Sequence, residues 1–315
     1  MAAARLLAAI DAVRVRFALL RPGGNLAGLK TYATAEFDGF EAAVRGYLTT
    51  QLGERPIEAA IAVACPVLDD HVAVRDGWTF SLERSMQALH LSVLHACNDL
   101  VAVAMAVPRL AAAETKKLGG ASVVPNTPIA VIAPAASLSV AALVPTGTGA
   151  MVPVTGEAGH SSFSAVSKRE RQIAEVLSER FGHVAAERVI SAPGIVSVYE
   201  AICRLERVTA VPRSPAEAIE AGLTGRDPQC AEALDVFCAA LGGFAGDTVL
   251  TLGARGGLYL AGDLLDQLGA YFSSSAFRRR FEEKGDYSGY LAAIPSFLIQ
   301  HQQPALLGLR SFFAQ

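Results

Sequence analysis

Between Arg14 and Leu110 the hydrophobic pattern changes period again and again, and this alternation constrains the fold more than any other feature. RVRFALL (14–20) reads as a strand, and LAGLKTYAT, after Gly23-Gly24, as the other arm of a hairpin. FDGFEAAVRGYLTTQL carries apolar residues at helical spacing and predicts an amphipathic helix. EAAIAVACPV (58–67) is a continuous apolar run closed by proline, the mark of a strand buried on both faces. HVAVRDGWTF predicts a strand with a turn at Asp76-Gly77. SLERSMQAL predicts a helix capped by Ser81, and LSVLHAC a strand. NDLVAVAMAVPRL predicts a helix entered at Asn98-Asp99. Strands and helices in this order make the class α/β.

Beyond Pro108 the pattern shifts. A Gly-rich junction at Leu118-Gly119-Gly120 precedes PIAVIAPAASLSVAALVP (128–145), whose two apolar runs flank Pro134-Ala135-Ala136-Ser137. The outline is strand, tight turn, strand, yet a turn that tight normally calls for glycine and this one has none. VPVTGEAGHSSFSAVS reads as a loop, SKRERQIAEVLSERFG as a charged amphipathic helix, and HVAAERVIS as a further helix. SVYEAICRLE and residues 214–222 read as helical. PQCAEALDVFCAALGGFAGDTVLTL reads as a longer helix interrupted at Gly242-Gly243. GGLYLAGDLL is strand-like, SSAFRRRFEEK helical, IPSFLIQ a last strand, and PALLGLRSFFAQ a short closing helix. No fixed-period repeat is visible.

A chain of 315 residues predicts two domains, and 52% hydrophobic residues supply large cores and exclude disorder. A net charge of −3 with no long run of one sign gives no support for a nucleic-acid partner. Charges or prolines interrupt every candidate membrane span. The opening MAAARLLAAIDAVRVRFALL places Arg5 before a short apolar LLAAI and reads as an intact cytoplasmic start. Five scattered cysteines (Cys65, Cys97, Cys203, Cys230, Cys238), with no CxxC, predict neither a disulfide framework nor a zinc knuckle. They read as small buried hydrophobes. No His and carboxylate cluster has metal-ligand spacing, so no metal is expected. There is also no P-loop, no GxGxxG after a strand and no GxSxG elbow.

The motifs IAVACPV, NDLVAVAMAVP, GEAGH, HVAAERVISAPG, GGLYLAGDLL and QQPALLGL occur in an order and spacing that resemble the bacterial glucokinases of the actin-like, ribonuclease-H-like ATPase superfamily. The resemblance covers nearly the whole chain. It implies a two-domain fold with a sugar cleft between the domains. The small α/β domain would span residues 1–107, with a C-terminal helix at 302–315 packing on it, and the large α/β domain residues 108–301. It also implies a homodimer and, for the family, Mg-ATP as cofactor.

In that family glucose is held by an Asn-Asp pair at a helix start, by Glu and His of a GEGGH loop, and by a Glu further on. The matching residues here are Asn98, Asp99, Glu157, His160 and Glu187. A sugar hydroxyl both donates and accepts, so carboxylates, an amide and an imidazole suit it. The resemblance makes Asp99 the catalytic acceptor of the hydroxyl proton. Ala158 stands where the family has glycine, which puts the local turn in question. Taken singly, each residue has a plainer reading: a helix cap for Asn98-Asp99, a solvated loop for Glu157 and His160, a surface charge for Glu187.

The family's phosphate loops are altered. Its first, a DxGGT hairpin, falls on Ala9-Ile10-Asp11-Ala12-Val13 when the family's arginine is set at Arg16. The acid becomes Ala9, the two glycines Asp11 and Ala12, and the threonine Val13. Asp11 is acidic two positions later, which keeps it on the same strand face. The second, a GxGTGxG hairpin, falls on Ala133, Ala135, Ala136, Ser137 and Ser139, and Pro134 lacks an N–H. Phosphate nests need converging N–H groups and φ values that alanine tolerates poorly. On the adenosine side Gly256, Gly257 and Gly262 remain, but Asp263 replaces a glycine, as a charge against nucleotide or as the start of a helix. Ser191-Ala192-Pro193-Gly194 differs from the family's SGPG by one alanine.

The expectation is therefore a glucose-binding pseudokinase with no cofactor bound. An active glucokinase stands beside it, because Asp99 is kept. A third alternative is an interaction or regulatory subunit that binds no sugar.

Overall fold

The computed structural model describes residues 4–51 and 53–313. The expected start at Met1, Leu52 at the end of the first helical segment, and the last two residues of the closing helix lie outside the described residues. The chain divides into two compact units, Met1–Ala111 with His301–Gln315, and Ala112–Gln300.

In the first unit, β1 (Arg5–Ile10), β2 (Arg14–Leu20) and β3 (Leu26–Ala33) form an antiparallel meander. Next come α1 (Phe40–Thr49), β4 (Glu58–Val63), a small hairpin of β5 (His71–Ala73) and β6 (Thr79–Ser81), and α2 (Leu82–Ala88). β7 (Val93–Asn98) and α3 (Asp99–Ala106) complete the run. The sheet order is β3-β2-β1-β4-β7, with β4 parallel to both β1 and β7. LLAAI, which resembles a short leader core in sequence, is thus the middle of the sheet. Its side chains alternate between two cores. Leu6, Ala8 and Ile10 pack with Phe17, Phe40 and Tyr47, while Leu7 and Ala9 pack with Ala60, Ala62, Leu306 and Leu309. Ser81 caps α2 by accepting from the Arg84 N–H, as the sequence predicts.

The second unit opens with β8 (Thr115–Gly119), where the sequence predicts a Gly-rich junction. Lys116 and Lys117 sit exposed on this strand, which pairs with the last strand at the sheet edge; edge lysines discourage further pairing. β9 (Ile129–Pro134) and β10 (Leu138–Pro145) form the predicted hairpin. β11 (Met151–Gly156) replaces the first half of the predicted loop. Its Pro153 is tolerated because β11 lies at the other edge of the sheet.

Helices α4 (Lys168–Phe181), α5 (Ala192–Glu206), α6 (Pro215–Leu223) and α7 (Pro228–Leu252) follow. HVAAERVIS forms only one 3-10 turn, Ala186–Arg188, instead of the predicted helix, because the Ala186 N–H is taken by the Ser161 carbonyl. α7 is continuous, where the sequence predicts a break at Gly242-Gly243. After it come β12 (Leu258–Leu260), α8 (Asp263–Ser274), α9 (Phe277–Glu282), α10 (Ser288–Ala293) and β13 (Ser296–Ile299). A Cβ at Gly242 would lie 2.2 Å from the Phe277 carbonyl oxygen, so these glycines admit α9 against the helix rather than end it. α7 is also long and apolar enough by composition to cross a membrane, contrary to the sequence reading, but 61% of its most apolar window is buried inside the protein. α11 (Pro304–Leu309) returns to the first unit and packs on α3.

The second sheet runs β11-β10-β9-β12-β13-β8. β9, β10 and β11 are antiparallel neighbours, and β12 is parallel to β9 and β13. Without β8, this is the order and direction of the first sheet. The protein therefore repeats one architecture twice, with no sequence period to announce it. The fold is mixed α/β of the actin-like ATPase type. All five cysteines are buried and free.

Candidate functional site

In the first unit three parallel strands end together. Ile10 pairs with Val63, and Val63 with Asn98. The residues just beyond, Asp11, Cys65 and Asp99, therefore gather with Asn98 at the carboxyl edge of the sheet, where α/β folds bind ligands. The Asn98 side chain caps α3 by accepting from the Leu100 N–H at 3.0 Å and donates to the Cys65 carbonyl at 3.3 Å. Asp99 Oδ1 accepts from the same N–H at 2.8 Å.

Asp99 is half-buried, and its carboxyl sits well above the ordinary aspartate value, at about 6. Burial is the main cause. The Leu100 N–H opposes it, the Asp11 charge adds to it, and the Arg16 guanidinium opposes it again.

Asp11 occupies the turn between β1 and β2. Its Oδ1 accepts from the backbone N–H groups of Val13 at 2.9 Å and Arg14 at 2.8 Å. Its Oδ2 lies 3.8 Å from Arg14 Nε and 3.6 Å from Arg16 Nη2. The sequence shows that Asp11 is present but not that it spans its own turn. An aspartate two and three residues ahead of N–H groups in a hairpin is the local signal that finds it.

In the second unit a 3-10 turn, Ala158–His160, carries the GEAGH segment. Ala158 has an ordinary backbone there, so the missing glycine does no harm. The glycine that matters is Gly159, because a Cβ on it would lie 2.0 Å from the Leu138 carbonyl oxygen. Short pairings tie this segment to the next one: Phe163 N–H to the Val184 carbonyl at 2.9 Å, and Ala186 N–H to the Ser161 carbonyl at 2.8 Å. They bring Glu187 Oε1 to 3.6 Å from His160 Nδ1. Glu187 is mostly buried, while Glu157 and His160 are exposed. Ser191 Oγ donates to the Glu187 carbonyl and accepts from the Gly194 N–H, fixing the start of α5.

The β9–β10 turn lies at the carboxyl edge of the second sheet. The Ala135 N–H donates to the Ser137 carbonyl at 2.8 Å, and the Ala135 carbonyl accepts from the Ala192 N–H at 2.8 Å. No residue from 9 to 13 or from 133 to 139 has a positive φ. Gly256 lies against the Pro128 carbonyl, and Gly257 and Gly262 have φ of 110° and 117°, so all three are required by the course of β12 itself. Asp263 begins α8, where its charge meets the positive end of the helix dipole. Among the described residues no three His, Cys, Asp or Glu side chains are grouped to hold a metal ion.

The family model described as Glucokinase matches residues 6–315. The chain belongs to the glucokinase family. A glucokinase from Chromobacterium violaceum is 41% identical over 98% of this chain and 89% of that protein. One from Aromatoleum aromaticum is 40% identical over 96% of this chain and 92% of that protein. The crystal structure of a glucokinase from an Antarctic psychrotroph superposes with a TM-score of 0.90 at 30% identity, covering 99% of each chain. A ROK-family glucokinase from Streptomyces griseus, in complex with glucose and AMPPNP, shares the fold at a TM-score of 0.65 and 14% identity over 98% of each chain.

For this glucokinase-family chain, the sequence-derived residues fall into one group per unit. Asn98, Asp99 and Asp11 share a sheet edge in the first. In the second, the backbone pairings join Glu157 and His160 to Glu187, and Ala135 to the start of α5. Arg16, which serves only as an alignment anchor in the sequence, lies 3.6 Å from Asp11 Oδ2, and its charge favours the Asp99 carboxylate.

Proposed function

We propose that this chain binds a hexose, with glucose the first candidate, and that its ATP-dependent phosphoryl transfer is strongly impaired. The candidate hydroxyl ligands are Asn98, Asp99, Glu157, His160 and Glu187. Asp99 as carboxylate faces the reacting hydroxyl and can take its proton. Burial that raises a carboxyl toward neutral pH is how active sites commonly tune a base.

One observation carries the impaired half of the reading: the Asp11 carboxylate accepts the Val13 and Arg14 N–H groups. In the family this hairpin is a phosphate loop. Here its donors are spent on the chain's own anion, which also repels a triphosphate. In the second hairpin the Ala135 N–H is likewise spent, and Pro134 has none. Losing a single donor of this kind costs about 10²–10³ in rate. The residues present therefore fit Mg-ATP poorly.

A working glucokinase is the second reading, and the comparisons favour it over loss of activity. Proteins named glucokinase match this chain nearly end to end at 40% and 41% identity. A homodimer in the cytoplasm fits either reading.

Calorimetry with glucose, with and without Mg-ATP, beside an assay for glucose 6-phosphate, separates them. Heat from glucose alone and no product supports impairment. Heat from both, with product formation abolished by Asp99→Asn, establishes the working kinase. No heat from either leaves an interaction or regulatory subunit.

A further inference from the structure

The second unit holds a recess of about 530 Å³ that none of the candidate hexose residues lines. Its floor is β10, where Val140, Ala141 and Ala142 are 8%, 1% and 2% exposed. One wall is α7, which presents Ala240, Phe244 and Thr248 at four-residue spacing, so they share a face. The other wall is the 156–164 segment, with Phe163 as its aromatic member. Small residues at Ala141, Ala142 and Ala240 leave the space open.

The chemistry of the lining is one-sided. Asp247 is the only charged residue in it, and that carboxylate is already paired with Lys284 Nζ at 2.6 Å. Ser162 and Ser164 bring hydroxyls that make no hydrogen bond among the described residues. An apolar recess of this size with a few polar groups matches the usual small-molecule site, which spans about 300–1,000 Å³. An anionic ligand would find no partner in it, and a cationic one only a carboxylate already shared with Lys284. We propose that this recess binds a small uncharged molecule with an apolar body and one hydrogen-bonding group.

The recess also has a route to the hexose residues, a step that rests on the hexose reading. Gly156, Ala158 and Ser161 line it, whereas Glu157 and His160, interleaved among them, do not. An occupant therefore braces the back of the segment whose front carries Glu157 and His160. Its binding and that of glucose are coupled, and linkage makes the coupling reciprocal.

The test is a fluorescence titration of the full chain with N-phenyl-1-naphthylamine, a neutral probe with one N–H. Saturable 1:1 binding is expected. Thr248→Trp, which fills the recess from α7, and Ser162→Trp, which fills it from the facing wall, each weaken it by roughly tenfold or more. Circular dichroism melts show which variants are folded, so one folded variant suffices. Absence of saturable binding in the natural chain overturns the proposal, as does undiminished binding in a folded variant. A dimer that Thr248→Trp dissociates, with probe bound only by free protomers, overturns it too, because a second copy then covers the recess. Saturating probe changes the glucose Kd, and an unchanged Kd refutes the coupling. A chain that binds the probe but no glucose sinks the hexose reading and leaves the recess standing.

Discussion

Arg280 Nη1 donates to Glu170 Oε1 at 2.7 Å, joining α9 to α4 across 110 positions of the chain. Both residues are buried, at 8% and 3% exposure. Glu170 Oε2 also accepts from the Val166 and Ser167 N–H groups, closing the capping box of α4. Burial pushes the Glu170 carboxyl up, but Arg280 and these two N–H groups outweigh it and hold it below the ordinary glutamate value. A depressed carboxyl contributes stability above its unfolded value and loses it as pH falls through the folded one. Arg280→Met should cost about 3–5 kcal/mol in urea unfolding at neutral pH, since it strands a buried carboxylate. The gap from the natural chain should narrow as pH falls below the ordinary glutamate range. A loss under about 1 kcal/mol would show that the pair carries little.

Asp99 works in the opposite sense. Its folded value is raised to about 6, so its charge destabilises the fold at neutral pH, and that cost is relieved as pH falls through about 6. A sugar hydroxyl needs the carboxylate as acceptor. Glucose binding should therefore strengthen as pH rises through about 6, and Asp99→Asn should bind weakly with a flat profile. Isothermal titrations across pH about 5 to 8 check this, and a flat profile in the natural chain would refute it.

Asp11→Asn keeps the side-chain oxygen that spans the β1–β2 turn and removes only the charge. The Asp11 charge pushes Asp99 up, so the midpoint of the glucose profile should move to lower pH. Mg-ATP heat, weak or missing in the natural chain, should grow. An unmoved midpoint would mean that the two carboxylates do not sense each other.

Two neighbouring substitutions should differ sharply. Ala158→Gly restores the family residue at a position with ordinary backbone and should leave glucose affinity within about twofold. Gly159→Ala drives a Cβ to 2.0 Å from the Leu138 carbonyl oxygen, so the segment bearing Glu157 and His160 must shift. Glucose affinity should fall by roughly tenfold or more while the melting temperature drops modestly. Equal effects of the two would argue against a positioned loop.

Much of the fold was legible because its strands announce themselves. RVRFALL and the 129–145 hairpin lie where their periodicity puts them, and Asn98 caps α3 as its position predicts. The misreadings share a cause, which is that a distant neighbour decides. Gly242-Gly243 looks like a break until α9 lies across it. MVPVTG looks like a loop until β10 pairs with it. HVAAERVIS looks like a helix until Ser161 claims its N–H. For the candidate site, the residue types were readable but not their company. Nothing in the spelling of Arg16 or Cys65 shows that they meet Asp11 and Asn98, because strand register brings them there. The doubled sheet order was invisible because topology, not sequence, is what repeats.

α11 completes the first unit with residues 304–309. Leu306 and Leu309 seal one face of a sheet whose strands end at Asn98, and a Cβ on Gly308 would lie 1.7 Å from the Ala102 carbonyl oxygen. During synthesis the first hundred residues leave the ribosome about 10–40 s before this closing piece. Residues 112–300 meanwhile emerge as one continuous stretch with their own core. The portion made first is thus the one finished last, and the cluster of Leu7, Leu20 and Ala60, already meeting Val101 and Ala102 of α3, lacks Leu306 and Leu309 throughout that interval.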